Sequence, residues 1–213
     1  MPAAAPTTPT LILASTSPYR RELLNRLGLH FEVVAPAVDE SAQAGETSTQ
    51  LVLRLALAKA NAVASQRSDA VVIGSDQVAD LNGDILGKPG NHERATEQLR
   101  RLSAKRALFH TAVAVVAVER GATRFERVLL ATVAVQFRRL DDAEIESYLV
   151  AERPYDCAGS AKSETRGIAL LDSIESDDPT ALIGLPLMRT CQLLRAAGID
   201  PLLAGARRAD TFT

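Results

Sequence analysis

The apolar run LILA at 11–14 is short and continuous, the pattern of a buried strand. STS then forms a turn, and PYRRELLNRLG continues as an amphipathic helix that starts near Pro18. Ser17 is a good N-cap and Pro18 suits the first helical position. FEVVAPAVDE is a short extended run ending in Asp39 and Glu40. From 49 to about 66, Leu51, Leu55, Ala58 and other apolar residues at helical spacing predict a helix with Lys59 near its middle. AVVIGSDQVADLNGDILGKP reads as a buried strand over Val71, Val72 and Ile73, followed by a hairpin turning at Asn82-Gly83.

A helix is expected next, from about Asn91 to Leu102. Two β-rich runs, LFHTAVAVVAVERG and TRFERVLLATVAVQFRRL, meet at Gly121 and predict an antiparallel hairpin. Asp141 caps the following helix, DAEIESYLVAE, and Pro154 marks its end. YDCAGSAKSETRGIALLDSIES is polar and Gly-bearing before it turns apolar, which reads as a lining loop and then a strand. LIGLPLMRTCQLLRAAG reads as a final helix ending at Gly198.

Paired strands interrupt the helical units, so the expected fold is α/β, a mixed central sheet with flanking helices and a cleft at the strand ends. No Gly/Ser-rich or Pro-rich linker and no repeat divides the chain, which predicts one domain over 10–205 between tails at 1–9 and 206–213.

Composition narrows the function. The chain has 213 residues, 46% of them hydrophobic, enough for a substantial core. A net charge of -2 argues against a general binder of nucleic-acid polymers or membranes, though a local basic pocket stays compatible with it. The two cysteines, Cys157 and Cys191, have no metal-ligand spacing, so free thiols in a reducing compartment are expected. MPAAAPTTPT lacks the charge and apolar stretch of a signal peptide, and no later run resembles a membrane span. A soluble, cytoplasmic protein is the expectation.

Candidate chemistry gathers where apolar strands end. Ser15, Arg20 and Arg21 follow the first strand, Glu40 the second, and Asp76 and Gln77 the run VVIGS; Lys88 follows the hairpin, and Lys162 and Glu164 lie in the late loop. Arg20 and Arg21 are unusual in position, because a helix N-terminus carries about half a positive charge and favours acids. A capping box would place Glu or Gln where Arg20 stands, and a bound anion would reverse the sign of the interaction. Cations and carboxylates together suit a metal-bound polyphosphate, since Arg and Lys neutralise phosphate oxygens while Asp and Glu hold Mg²⁺. Taken singly, each has a plainer reading: Arg20 and Arg21 as a solvated helix face, Asp76 as a turn residue, Lys59 as an exposed helix residue, Lys88 as a hairpin flank, Glu40 and Glu164 as loop acids.

Other chemistries fall away. GDILGKP is one residue short of a Walker loop and has Pro89 in the Ser/Thr position. GxGxxG is absent, His30, His92 and His110 form no close metal motif, and neither cysteine lies beside a recognisable catalytic His.

As an ordered set, LILASTSPYRRELL, VDE ending at Glu40, LALAKA with Lys59, IGSDQV, LGKP, CAGSAKSE and GLP resemble the Maf-like nucleoside triphosphate pyrophosphatases. The resemblance implies a Maf/ITPase-like architecture and hydrolysis of a nucleoside triphosphate between its α and β phosphates, with a divalent cation (Mg, Mn or Co). It implies Asp76 as general base, Ser15, Arg20, Lys59 and Lys88 around the triphosphate, Glu40 and Asp76 at the metal, and a homodimer. SPYR and SDQ, in place of SPRR and SDT, resemble the branch acting on 7-methyl-GTP, a house-cleaning activity against modified nucleotides. N7-methylguanine is cationic, so an aromatic face and a carboxylate form a sensible reader, with Tyr19 stacking, Gln77 hydrogen-bonding and Glu164 supplying charge. Tyr19 stands where branch members commonly have Trp. A dTTP/UTP pyrophosphatase and a nucleotide-binding regulator of septum formation are the alternatives.

Overall fold

Two crossovers in opposite directions open the sheet. β1 (Thr10–Ala14) lies between β2 (Glu32–Val34) and β3 (Ala70–Leu81), parallel to both. The link from β1 to β2 passes through α1 (Pro18–Asn25), and the link from β2 to β3 through α2 (Ser48–Ala64). Leu23 and Leu24 of α1 pack with Leu11, Leu13 and Ile73 on one face of the sheet, while Leu55, Ala56 and Ala60 of α2 pack with Ile12, Ala14 and Val72 on the other. Alternation along the strands produces this division, because successive side chains point to opposite faces. In the computed structural model, which describes residues 9–204, the mixed α/β architecture with flanking helices is as expected. The tails expected at 1–9 and 206–213 lie outside the described residues, except for position 9.

Beyond β3 the sheet turns antiparallel. β4 (Asp84–Leu86) folds back on the end of β3, and β5 (Arg106–Glu119) pairs with β3 along nearly its whole length. β6 (Ala122–Phe137) completes the expected hairpin, and β7 (Leu171–Glu175) pairs with its last residues, giving the order β2-β1-β3-β5-β6-β7. α3 (His92–Leu102) and α4 (Asp142–Glu152) start at Asn91 and Asp141 caps, as read from the sequence, and bury Leu99, Leu102, Ile145 and Leu149 against Phe109, Val133 and Phe137.

Two expectations need correction. β3 does not end with VVIGS; it continues through Asp76 and Gln77 to Leu81, up to the expected turn at Asn82-Gly83. Polar side chains are compatible with this central strand because each finds a partner on its own face, Asp76 at Lys59 and Gln77 at Thr111. The last helix is also shorter than its apolar spacing suggests. Residues Ala181–Ile183 form a single 3-10 turn, Gly184 takes φ 124°, and α5 begins only after Pro186, over Leu187–Ala196. A left-handed glycine and a proline with no N–H end one turn and start another. A further short helix, α6 (Pro201–Ala204), was not anticipated.

Gly74 sets the distance between α2 and the sheet. A Cβ there would lie 2.2 Å from the Ala56 carbonyl oxygen and 2.6 Å from the Ala60 nitrogen, so only glycine admits the helix this close.

Candidate active site

The register of β3 leaves a gap at one edge. β1 pairs with it as far as Gly74, and β4 resumes pairing at Ala79, so Ser75, Asp76, Gln77 and Val78 have no strand neighbour on that side. This gap lies at the carboxyl ends of parallel strands whose crossovers diverge, the place where open α/β sheets hold ligands. Two walls meet there, one for each face of β3.

On the α2 side, Lys59 is buried, with its stem among apolar neighbours and its ammonium at two carboxylates. Nζ lies 2.7 Å from Asp76 Oδ1 and 2.8 Å from Glu40 Oε1. Asp76 is buried and Glu40 exposed. Burial alone would raise the Glu40 carboxyl, yet the hydrogen bond and charge of Lys59, with Lys88 and Arg20, hold it below the usual carboxylate range. Removing these charges from water is costly unless each is paired, which the Lys59 bridge accomplishes.

On the opposite face, Ser75, Gln77 and Thr111 form a polar seam between two apolar halves of the core. The seam fastens the chain around the 3-10 turn. Gln77 Nε2 donates to Thr111 Oγ1 at 2.8 Å and to the carbonyls of Ala181 and Leu182 at 2.9 and 3.0 Å. Thr111 Oγ1 donates to the Ala181 carbonyl at 2.9 Å, and Ser75 Oγ donates to the Gly184 carbonyl at 3.1 Å. Arg20 reaches the same carbonyl, with Nε at 2.8 Å, while its Nη1 donates to Ser15 Oγ at 3.4 Å. Burial pushes the Arg20 guanidinium down from its usual range, and the charges of Asp76 and Glu40 oppose that shift. A guanidinium remains protonated under any physiological condition.

Against the second of these walls, at Gln77 and residues 182–184, is a cleft of about 230 Å³ lined also by the start of α1. Thr16, Ser17 and Pro18 line it, and Ser17 Oγ accepts the Arg20 N–H at 3.4 Å. No acid stands in the first turn of α1. The cleft therefore receives the positive end of a helix together with Arg20 and Lys88, the makings of an anion site. Tyr19, Gln77, Glu164, Asp156 and Cys157 line the same cleft. Burial raises the Glu164 carboxyl above its ordinary range, as do the charges of Glu22 and Glu152, against an opposing Lys162.

Of the residues singled out from sequence, Tyr19, Arg20, Gln77, Lys88 and Glu164 line the cleft directly. Ser15, Glu40, Lys59 and Asp76 lie behind that lining and connect to it through Arg20 and the Lys59 bridge. Arg21 is exposed and not part of the lining. No motif or spacing marks Ser75 and Thr111 as the seam, or Asp156 as part of the lining. Asp156 immediately precedes CAGSAKSE, and only the closure of that loop over α1 brings it to Tyr19.

Burial and the adjacent Asp156 push the Cys157 thiol up to about 12, so at neutral pH it is protonated and a poor nucleophile. Among the described residues, no cluster of three or more His, Cys, Asp or Glu converges as a metal site. Glu40 and Asp76 do converge on one point, at present the Lys59 ammonium. Two carboxylates completed by phosphate oxygens are a donor set suited to Mg²⁺-like ions, so the residues fit a cation shared with a polyphosphate.

The sequence matches a known group of proteins. The family model described as Maf-like protein matches residues 10–197. A 7-methyl-GTP pyrophosphatase of Albidiferax ferrireducens is 66% identical over 90% of this chain and 95% of its own. One from Polaromonas sp. is 63% identical over 92% of this chain and 89% of its own, and one from Bordetella parapertussis 56% identical over 91% and 95%. With nearly all of its described length matched in this way, the chain belongs to the Maf-like protein family.

Proposed function

We propose that the protein hydrolyses 7-methyl-GTP to 7-methyl-GMP and pyrophosphate. The observation that carries the reading is one cleft lined together by the start of α1, the cations Arg20 and Lys88, the Tyr19 ring and the Glu164 carboxyl, with the charge of Asp76 acting on Arg20. Its relatives' names support the same substrate.

In this reading the triphosphate lies along the start of α1, where Arg20, Lys88 and backbone N–H groups meet its oxygens, with Ser15 orienting Arg20. Asp76 accepts a proton from a water molecule as its oxygen attacks the α-phosphorus. The bond from that phosphorus to the bridging oxygen breaks, and pyrophosphate leaves with its electron pair. Lys59 holds Asp76 Oδ1 at 2.7 Å, which orients Oδ2 for the water and supplies positive charge beside the developing phosphoryl negative charge. Glu40 and Asp76 would hold a divalent cation against the phosphates, and such an ion neutralises phosphoryl charge. Tyr19 stacks on the base and Glu164 pairs with its edge. Gln77 can offer the base only its carbonyl oxygen, since its N–H groups hold the turn.

The same reading takes 10–205 as one catalytic unit that works as a cytoplasmic homodimer on free nucleotides. The small net charge of -2 suits a substrate that is a free nucleotide and not a nucleic-acid polymer.

Pyrophosphate release from 7-methyl-GTP, GTP, dTTP, UTP and CTP, each with Mg²⁺, Mn²⁺ or Co²⁺, tests the proposal. Preference for 7-methyl-GTP in the wild type, with turnover lowered about a hundredfold or more in Asp76→Asn while nucleotide binding is retained, is the expected result. Preference for dTTP or UTP would reassign the substrate, and no release from any nucleotide would overturn the enzyme reading. Glu40→Gln should raise the metal concentration needed for half-maximal activity.

A further inference from the structure

Tyr19 does not stand alone in the cleft. Its hydroxyl donates to Asp156 Oδ1 at 3.4 Å, across 137 positions of sequence, and the Cys157 thiol donates to the same oxygen at 3.5 Å. All three residues line the cleft. Both donors are neutral, and among the described residues Asp156 forms no salt bridge, so it brings a carboxylate without a directly paired cation to the wall of the site. Burial and the neighbouring Cys157 and Asp156 raise the Tyr19 phenol well above its ordinary range, which keeps it a donor.

A cation already stands at the ring. Lys162 Nζ lies 5.7 Å from the Tyr19 centroid and donates to the Glu152 carbonyl at 3.1 Å. A positively charged base stacking on Tyr19 would therefore meet a like charge nearby, and a neutral base would not. An unpaired carboxylate on the same ring's hydroxyl offsets that repulsion for the cationic base and does little for the neutral one. The contact also tethers the tip of the Tyr19 ring to the cleft wall.

We propose that Asp156 is a specificity-determining residue, which orients Tyr19 and supplies the charge that makes this site favour a positively charged purine over its neutral counterpart. The inference rests on the reading of the protein as a 7-methyl-GTP pyrophosphatase, and it assigns to an Asp–Tyr pair the role that a larger aromatic ring would fill alone.

The test compares kcat/KM for 7-methyl-GTP and GTP in the wild type, Asp156→Asn, Asp156→Glu and Tyr19→Phe. Asp156→Asn should lower the value for 7-methyl-GTP about fivefold while GTP changes less than about twofold, as expected for one exposed charge acting on a cation. Asp156→Glu should restore most of the preference, and Tyr19→Phe should lose part of it without adding to Asp156→Asn in the double variant. Equal losses for both nucleotides, or an unchanged preference in Asp156→Asn, would overturn the inference and leave the substrate assignment standing. A wild-type protein with no preference for 7-methyl-GTP over GTP would overturn the substrate assignment and this inference with it.

Discussion

Asp76 and Gln77 are consecutive on β3 and serve opposite faces of the sheet. Asp76 meets Lys59 of α2 at 2.7 Å, and Gln77 holds the Ala181 and Leu182 carbonyls at 2.9 and 3.0 Å. The strand alternation that elsewhere sends apolar side chains into two separate cores here sends one side chain to each wall of the site. Because β1 and β4 leave the β3 edge open beside them, a ligand in the gap can be reached from both faces.

The Lys59 bridge makes a stability prediction. Lys59 and Asp76 have side chains only 5% and 9% exposed, so removing the ammonium leaves a carboxylate nearly out of water. Breaking such a pair from one side costs about 3 kcal/mol. Lys59→Ala should lose roughly that amount in urea denaturation, and adding Asp76→Asn should recover part of it. A loss below about 0.5 kcal/mol would show that Arg20 or solvent already compensates Asp76.

How much of this was legible from sequence depended on how far each signal reached. Asn91, Asp141 and Ser17 mark helix starts because a cap acts on N–H groups within three residues, and all three accept the expected backbone bond. The turn at Asn82-Gly83 is local in the same way. Asp76 and Gln77 read locally as residues beyond the strand VVIGS, because α2 and the 181–184 segment supply their partners only in the fold. The 3-10 turn was hidden in apolar spacing that suits a helix equally well, and its carbonyls are held from Gln77, 104 and 105 positions away. Asp156 carried no signal at all, since its meaning is a contact with Tyr19 and not a motif.

Gly74 controls the placement of Lys59. Gly74→Ala puts a methyl 2.2 Å from the Ala56 carbonyl oxygen, a backbone atom that cannot swing aside, so α2 must move outward. Overpacking of this kind costs about 2 kcal/mol. The thermal midpoint should fall, and kcat should fall more than KM rises, because Lys59 leaves its position on Asp76. A variant with normal kcat would show that the ammonium tolerates the displacement.

Gln77 predicts a separate effect on the cleft wall. Gln77→Ala removes the donor shared by Thr111 and two carbonyls, and each lost hydrogen bond is worth about 1 kcal/mol. Stability should drop by about 2 kcal/mol, and amide exchange should accelerate across 181–184. If the side chain only read the base, stability and exchange would stay as in the wild type while nucleotide preference changed.

Glu164 gives the site a pH dependence. Burial raises its carboxyl above the ordinary glutamate range, so on acidification it takes up a proton earlier than an exposed glutamate does. A protonated Glu164 no longer attracts a cationic base, and the preference for 7-methyl-GTP over GTP should decline as pH falls from neutrality through that raised value. For stability the sign is opposite. The folded state binds the proton more tightly than the unfolded chain, so this carboxyl lowers stability as pH rises from the ordinary glutamate value through the raised one. Glu164→Gln should flatten both profiles, with stability gained at neutral pH and the preference for 7-methyl-GTP reduced at every pH. Parallel pH profiles of kcat/KM for the two nucleotides would remove Glu164 from base recognition, whatever its effect on stability.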